Sequence, residues 1–154
     1  MLLEERKLNE YVRDLSLEYF GKPYESNVSY NNRLKKVAGR CFVESGKIEL
    51  ATVYSKYCDD KEFKDTILHE LVHYHLYRAG YVKEHHGANF KALAKKVGAS
   101  RYAQHIPIKY YNHVEVTCED CGNKFYQYKA FNENDYVCSK CKGRLHCKHV
   151  KAVR

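Results

Sequence analysis

The stretch Thr66-Ile67-Leu68-His69-Glu70-Leu71-Val72-His73-Tyr74-His75 decides how this chain is read, because it sets His-Glu-x-x-His inside an apolar pattern of helical period. Residues four apart lie one turn apart on the same face of a helix, so His69 and His73 can present both imidazoles to one Zn²⁺. Glu70 sits about 100° around the axis, within reach of a water in that ion's open position. The flanking residues favour a helix. Asp59 with Glu62 three positions on has the form of a capping box and Gly80 supplies a stop, so the pattern predicts a helix from Asp60 to Ala79. Phe63, Ile67, Leu71 and Tyr74 fall on the side away from the two histidines, with Leu68 and Val72 beside them, so the helix is expected to be buried. The remaining polar strip, Glu62, Thr66, His69 and His73, is expected to face a cleft. His75, about 200° around from His73, is not placed to join them.

Beyond Gly80 the chain reads Tyr81-Val82-Lys83-Glu84-His85-His86-Gly87, and Ala88 to Val97 follows as another helix with Phe90, Leu93, Ala94 and Val97 on one stripe and Gly98 as its stop. The intervening turn brings Glu84, His85 and His86 back towards the first helix. Each is a possible third ligand, and spacing alone does not choose between them. His86 is favoured because Gly87 directly after it allows a tight turn into the helix entrance.

Upstream, Leu8, Tyr11, Val12, Leu15 and Tyr19 recur at helical spacing between Glu4 and Phe20, ahead of Gly21 and Pro23. The texture then turns β-like in Val28–Tyr30, Val37–Val43 and Lys47–Ala51, with Asn31-Asn32 and Glu44-Ser45-Gly46 as turns. The fold class expected is α+β, with helices packed on a small, mostly antiparallel sheet. Cys41 and Cys58 have no Cys or His spaced to join them and read as small core residues.

Further on, Cys118-Glu-Asp-Cys121 and Cys138-Ser-Lys-Cys141 form two Cys-x₂-Cys pairs separated by sixteen residues. That spacing, with β-like stretches between, suits a zinc ribbon held by four thiolates. A closed four-sulfur site has no open position, so its task is folding a segment too short to build its own core. His146, Cys147 and His149 are weaker candidates because they break the repeated spacing. The expected division is a domain over 1–105 and a ribbon over 106–154, with a hinge between Arg101 and Ile108. Within the ribbon Lys124, Phe125, Tyr126, Tyr128 and Lys129 alternate basic and aromatic groups, and Lys140, Lys142, Arg144, Lys148, Lys151 and Arg154 add charge. These suit single-stranded DNA or another nucleic acid. Equally, the aromatics can fill the ribbon's own core while the lysines are solvated.

The 154 residues allow one main core and a small appendage, and a 44% apolar, 14% aromatic composition does not fit a disordered chain. The charged start Met-Leu-Leu-Glu-Glu-Arg-Lys and the lack of a long apolar run argue against a signal peptide or membrane span. A cytoplasmic protein is expected, in which seven cysteines serve as thiols or metal ligands. The net charge of +8 agrees with an anionic partner without demanding one.

The pattern His69-Glu-Leu-Val-His73 with His86-Gly87-x-x-Phe90 resembles the SprT-like metalloprotease family, which includes the Spartan proteases. Asn31-Asn32-Arg33-Leu34 and Ala38-Gly39-Arg40 are similar to that family too, as is the C-terminal ribbon to its bacterial members. The resemblance implies a zincin-like domain in which His69, His73 and His86 bind zinc, and it extends to relatives that degrade proteins crosslinked to DNA. A metzincin is excluded, since that pattern wants Gly at Leu76 and His at Ala79. Three protein ligands leave one position to a water whose pKa drops to about 7. Glu70 is then the base that takes its proton and passes it to the leaving amine. The expectation is a peptide-hydrolysing enzyme with two zinc sites, one catalytic and one structural. The alternative is a non-catalytic zinc protein that binds nucleic acid or a protein partner, against which the carboxylate of Glu70 speaks.

Overall fold

The computed structural model describes residues 2–83, 85–102 and 104–152. They fall into two compact units that divide between Ile106 and Pro107. The first contains α1 (Glu5–Phe20), β1 (Val28–Asn31), β2 (Gly39–Phe42), β3 (Lys47–Ala51), α2 (Thr52–Tyr57), α3 (Asp60–Arg78) and α4 (Ala88–Val97).

α1 buries Leu8, Val12 and Leu15 against the sheet and α3. Each such side chain stabilises by about 1.5–3 kcal/mol when fully buried, enough for this one stripe to dock the helix. The sheet has the order β1-β3-β2. β2 and β3 form the antiparallel pair implied by the Glu44-Ser45-Gly46 turn, whereas β1 runs parallel to β3 with Val28 opposite Ile48. The antiparallel expectation therefore holds for one of the two pairings. β3 buries Ile48, Leu50 and Ala51 completely and needs a hydrogen-bonding partner on each edge, which the hairpin and β1 supply. β2 is left at the edge.

α3 begins with both halves of the capping box: Glu62 N donates to Asp59 Oδ1 at 2.7 Å, and Asp59 N donates to Glu62 Oε2 at 3.1 Å. Ile67, Leu71 and Tyr74 enter one core with α1 and the sheet, while Val72 and Leu76 enter a second with Phe90, Ala94 and Val97 of α4. Burial on two sides explains the nearly all-round apolar pattern. The expected polar strip does not stay together. Glu62 is exposed at the cap, and Thr66 turns its hydroxyl to the Glu62 carbonyl at 3.0 Å, its methyl lying 3.2 Å from where a Cβ on Gly39 would sit. His75 is buried with Nε2 2.7 Å from Ser16 Oγ, a polar tie between α3 and α1.

The second unit is a three-stranded antiparallel sheet, β4 (His113–Cys118), β5 (Lys124–Gln127) and β6 (Leu145–Val150), in the order β5-β4-β6. Its core is Val114, Val116, Cys118, Cys138 and Leu145. Among the described residues no helix is long and apolar enough to cross a membrane.

Gly46 closes the β2–β3 turn at φ 80, and a Cβ there would lie 2.6 Å from a Tyr74 ring carbon. Gly21 also has a positive φ, 66, yet a Cβ there would meet nothing within 4 Å. Gly21→Ala is expected to cost about 1 kcal/mol and Gly46→Ala about 2–4 kcal/mol, read as urea midpoints at unchanged slope.

Candidate metal centres

One donor atom from each of His69, His73 and His86 lies within 4.8 Å of the other two. His86 Nε2 is 3.1 Å from both His69 Nε2 and His73 Nε2. Phe90 of α4 packs against all three rings, with centroids 4.5 to 4.9 Å away, and gives the cluster an apolar wall. Of the three residues considered for the third position, His86 is the one in the cluster. His85 is exposed and stacks on His73 with centroids 5.9 Å apart, and Glu84 lies outside the described residues.

The backbone reason differs from the one the sequence suggests. Gly87 has a φ of −79, whereas His86 itself takes φ 53. A left-handed residue with a side chain costs about 1–3 kcal/mol, and such strain collects at functional sites. Arg101 helps to hold it, donating from Nε to the His86 carbonyl at 3.1 Å.

His69 Nδ1 is 2.7 Å from the main-chain carbonyl oxygen of Ser100. A carbonyl only accepts, so Nδ1 carries the proton and Nε2 keeps its lone pair. Burial, followed by repulsion from the neighbouring rings, pushes the pKa of His73 down to about 3; burial and then His69 bring His86 down to about 4. Burial also lowers His69, against the Ser100 hydrogen bond. The three imidazoles are therefore neutral at pH 7, with nitrogens converging on one point. In a tetrahedral site with Zn–N of about 2.0–2.1 Å, two ligand nitrogens stand about 3.4 Å apart. The 3.1 Å separations are close to that, and the donor set fits Zn²⁺.

Glu70 is 2% exposed, and burial pushes its carboxyl up to about 8. Among the described residues no ion pair reaches it. It lines, with the three histidines, a cleft of about 510 Å³ to which Gly39, Arg40 and Cys41 from β2 and Val82, Lys83 and His85 from the segment after α3 also contribute. Cys41, expected in the core, packs against it but also lines this cleft; burial, with the charge of Glu70, pushes its thiol up to about 12. Asn31 and Arg40 both hold Glu49 on β3, by a hydrogen bond from Asn31 Nδ2 and an Arg40 ion pair of 3.5 Å, and so steady the strands beside that cleft.

In the second unit the sulfurs of Cys118, Cys121, Cys138 and Cys141 lie within 4.8 Å of one another, with Cys118–Cys141 at 3.4 Å and Cys121–Cys138 at 3.7 Å. A tetrahedron with Zn–S of about 2.3 Å asks for about 3.8 Å. Main-chain N–H groups of Cys121 and Gly143 donate to Cys118 and Cys141 sulfurs, and those of Cys141 and Lys140 pull the Cys138 thiol below its ordinary pKa. Both knuckles turn left-handed directly after the second cysteine, at Gly122 (φ 75) and Lys142 (φ 61). Gly143 is needed for close approach instead: a Cβ there would lie 2.8 Å from Cys118 Sγ and 2.5 Å from Asp120 Oδ2. Cys147 and His146 lie on β6 outside this group. Glu133 accepts from Cys147 N at 2.6 Å and faces His146 Nδ1 at 3.5 Å, and His149 is exposed opposite Val114.

The residues considered for nucleic acid divide by strand alternation. Phe125, opposite Val116, is partly buried and packs against the core of the second unit. Tyr126 and Tyr128 are 51% and 38% exposed, and Lys129 and Arg144 are exposed as well. Lys124 pairs with Glu115 at 3.5 Å. Arg154 lies outside the described residues. What sequence reasoning missed is the surrounding shell, Ser100 and Arg101, which carry no motif.

The SprT-like family model matches residues 8–113. A protein named SprT-like from Lactococcus lactis is 34% identical over 147 residues, covering 94% of this chain and 95% of its own. Another from Streptococcus mutans is 35% identical over 138 residues, covering 90% and 94%. Among solved structures, the metallopeptidase zymogen of Pyrococcus abyssi abylysin is a distant likeness, with a TM-score of 0.45 and 21% identity over 61% of this chain and 79% of that one.

The cluster makes the metal-free protein sensitive to pH in two directions. With His73 and His86 depressed to about 3 and about 4, the unfolded chain binds more protons below 6.5, so stability present above that value is lost as pH falls. Glu70 has the opposite sign. Raised from 4.5 to about 8, it holds its proton better when folded, and that contribution is lost as pH rises. Metal-free Glu70→Gln is therefore expected to resist urea better than the parent at about pH 8.5 and equally at about pH 4.5.

Proposed function

The chain belongs to the SprT-like family, and from that premise we propose that it is a zinc-dependent metallopeptidase of the His-Glu-x-x-His type, hydrolysing peptide bonds in protein substrates. The observation that carries this reading is the convergence of three neutral imidazoles beside a buried carboxylate in the lining of an open cleft.

His69, His73 and His86 hold the catalytic zinc, which when bound supplies a Lewis acid for a carbonyl oxygen and lowers the pKa of water. Glu70 handles the proton. Its carboxyl, at about 8 without metal, lies on the neutral side of the ordinary range, while a nearby dication works against burial and favours the ionised, base form. A carboxylate held close to neutrality can both take the proton of an attacking water and return it to a leaving amine. β2, an edge strand of the sheet among the described residues, offers main-chain groups along the cleft to an extended substrate segment.

Cys118, Cys121, Cys138 and Cys141 hold a second zinc, closed to substrate, that gives the small second unit its fold. Tyr126, Tyr128, Lys129 and Arg144 offer stacking surfaces and positive charge to single-stranded DNA, which supports DNA-associated proteins as substrates, acted on in the cytoplasm.

Zinc counting together with cleavage of a DNA-binding protein, with and without single-stranded DNA, tests the reading. Two zincs per chain are expected in both parent and Glu70→Gln, with DNA-stimulated turnover in the parent that drops about 10²–10⁴-fold in the variant. Two zincs and DNA binding with no cleavage in the parent would instead favour a non-catalytic zinc protein.

A further inference from the structure

Asp65 lies one helical turn before His69, on the same face of α3. Its carboxylate accepts three hydrogen bonds, from Ser100 N at 2.9 Å, Ser100 Oγ at 2.7 Å and Gln104 Nε2 at 3.0 Å. The Ser100 carbonyl in turn accepts from His69 Nδ1 at 2.7 Å, and the next residue, Arg101, donates to the His86 carbonyl at 3.1 Å. Two adjacent residues of the segment after α4 thus hold two of the three clustered histidines, and one carboxylate ties that segment to α3.

We propose that Asp65 is a positioning residue of the histidine centre: by clamping Ser100, and through the chain the adjacent Arg101, it fixes the ring of His69 and the backbone turn of His86, and so sets the affinity for zinc. This rests on the metallopeptidase reading. The far end of the segment has its own anchors, Ala38 N to the Gln104 carbonyl at 2.9 Å and Ile106 N to the Lys36 carbonyl at 3.0 Å. Ala99, just before Ser100, donates from N to the Ala94 carbonyl at 2.8 Å, so loss of Asp65 frees Ser100 and Arg101 between two anchored flanks. Ser100 N–H and hydroxyl lose their shared acceptor, its carbonyl is free to swing away from His69 Nδ1, and that imidazole can then rotate or exchange its proton between nitrogens. His86 holds φ 53 with help from Arg101, and that support is loosened by the same change. A carboxylate suits the role because its two oxygens can serve three donors with charge-assisted bonds. Its orienting action through an intermediate group is the kind that outer-shell partners exert on metal ligands.

Metal-free protein titrated with Zn²⁺ against a chromophoric chelator, and the visible spectrum of the Co²⁺-loaded form, give readouts independent of turnover. The series is the parent, Asp65→Ala, Asp65→Asn and Ser100→Ala, with His86→Ala marking which binding event belongs to the histidines. Asp65→Ala is expected to weaken the histidine site about 10–100-fold and alter its cobalt spectrum while leaving the four-sulfur site unchanged. Asp65→Asn, which keeps an acceptor oxygen, should recover part of the loss, and Ser100→Ala should lose least. Should Asp65→Ala fail to fold by circular dichroism, the other two variants decide: weakened histidine-site affinity supports the proposal. Affinities within about two-fold of the parent, with unchanged cobalt spectra, overturn it. A parent whose zinc binding is indifferent to His86→Ala overturns the metal reading itself, a separate and recognisable result.

Discussion

Three neutral imidazoles, with His86 Nε2 held 3.1 Å from both His69 Nε2 and His73 Nε2, are the constraint on which the first unit depends. Neutral ring nitrogens crowded on one point are a conflict in the metal-free protein, and Phe90 closes one side of the cluster with an apolar wall. A cation removes the conflict. Without one, the arrangement has to be imposed by its surroundings, and the surroundings are built to do so. α3 is capped at its start, packed on two sides, and tied to α1 through His75 and Ser16. Helical spacing then carries His69 and His73, and a strained turn at His86 completes the set.

Glu70 adds a second cost at the same place. A buried carboxyl whose pKa rises to about 8 weakens the folded state at neutral pH, and it sits midway along α3 among buried residues. Stability supplied by the two cores flanking α3 offsets the cost of burying that carboxyl. The second unit has a different economy of structure: five buried core residues, three short strands and four converging sulfurs. With so little apolar area, a metal bound by those four sulfurs would make coordination and folding one process there.

Much of this was legible in the chain itself because it depends on local rules. The capping box at Asp59 and Glu62, the stop at Gly98 and the bounds of α4 at Ala88 and Val97 follow from local chemistry. So do the helical spacing of His69 and His73 and the knuckle spacing of the cysteines. Non-local features were not legible. The parallel pairing of β1 with β3 depends on which edge of a buried strand is left open, and α2, six residues long, is too short to show a period. Thr66 shares the histidine face by angle, yet hydrogen-bonds its own helix and packs towards Gly39, because the sheet covers that end of α3. Gly87 drew attention where His86 carries the positive φ. Ser100 acts through its main-chain carbonyl, which any residue possesses, so no side-chain pattern announces it.

Zinc at both proposed centres would sit in two different donor sets, one nitrogen-rich and one of sulfur only. X-ray absorption at the zinc edge of the fully loaded protein tests it most directly. Averaged over both ions, equal numbers of sulfur neighbours at about 2.3 Å and nitrogen or oxygen neighbours at about 2.0–2.1 Å are expected. A spectrum containing sulfur neighbours alone would contradict it.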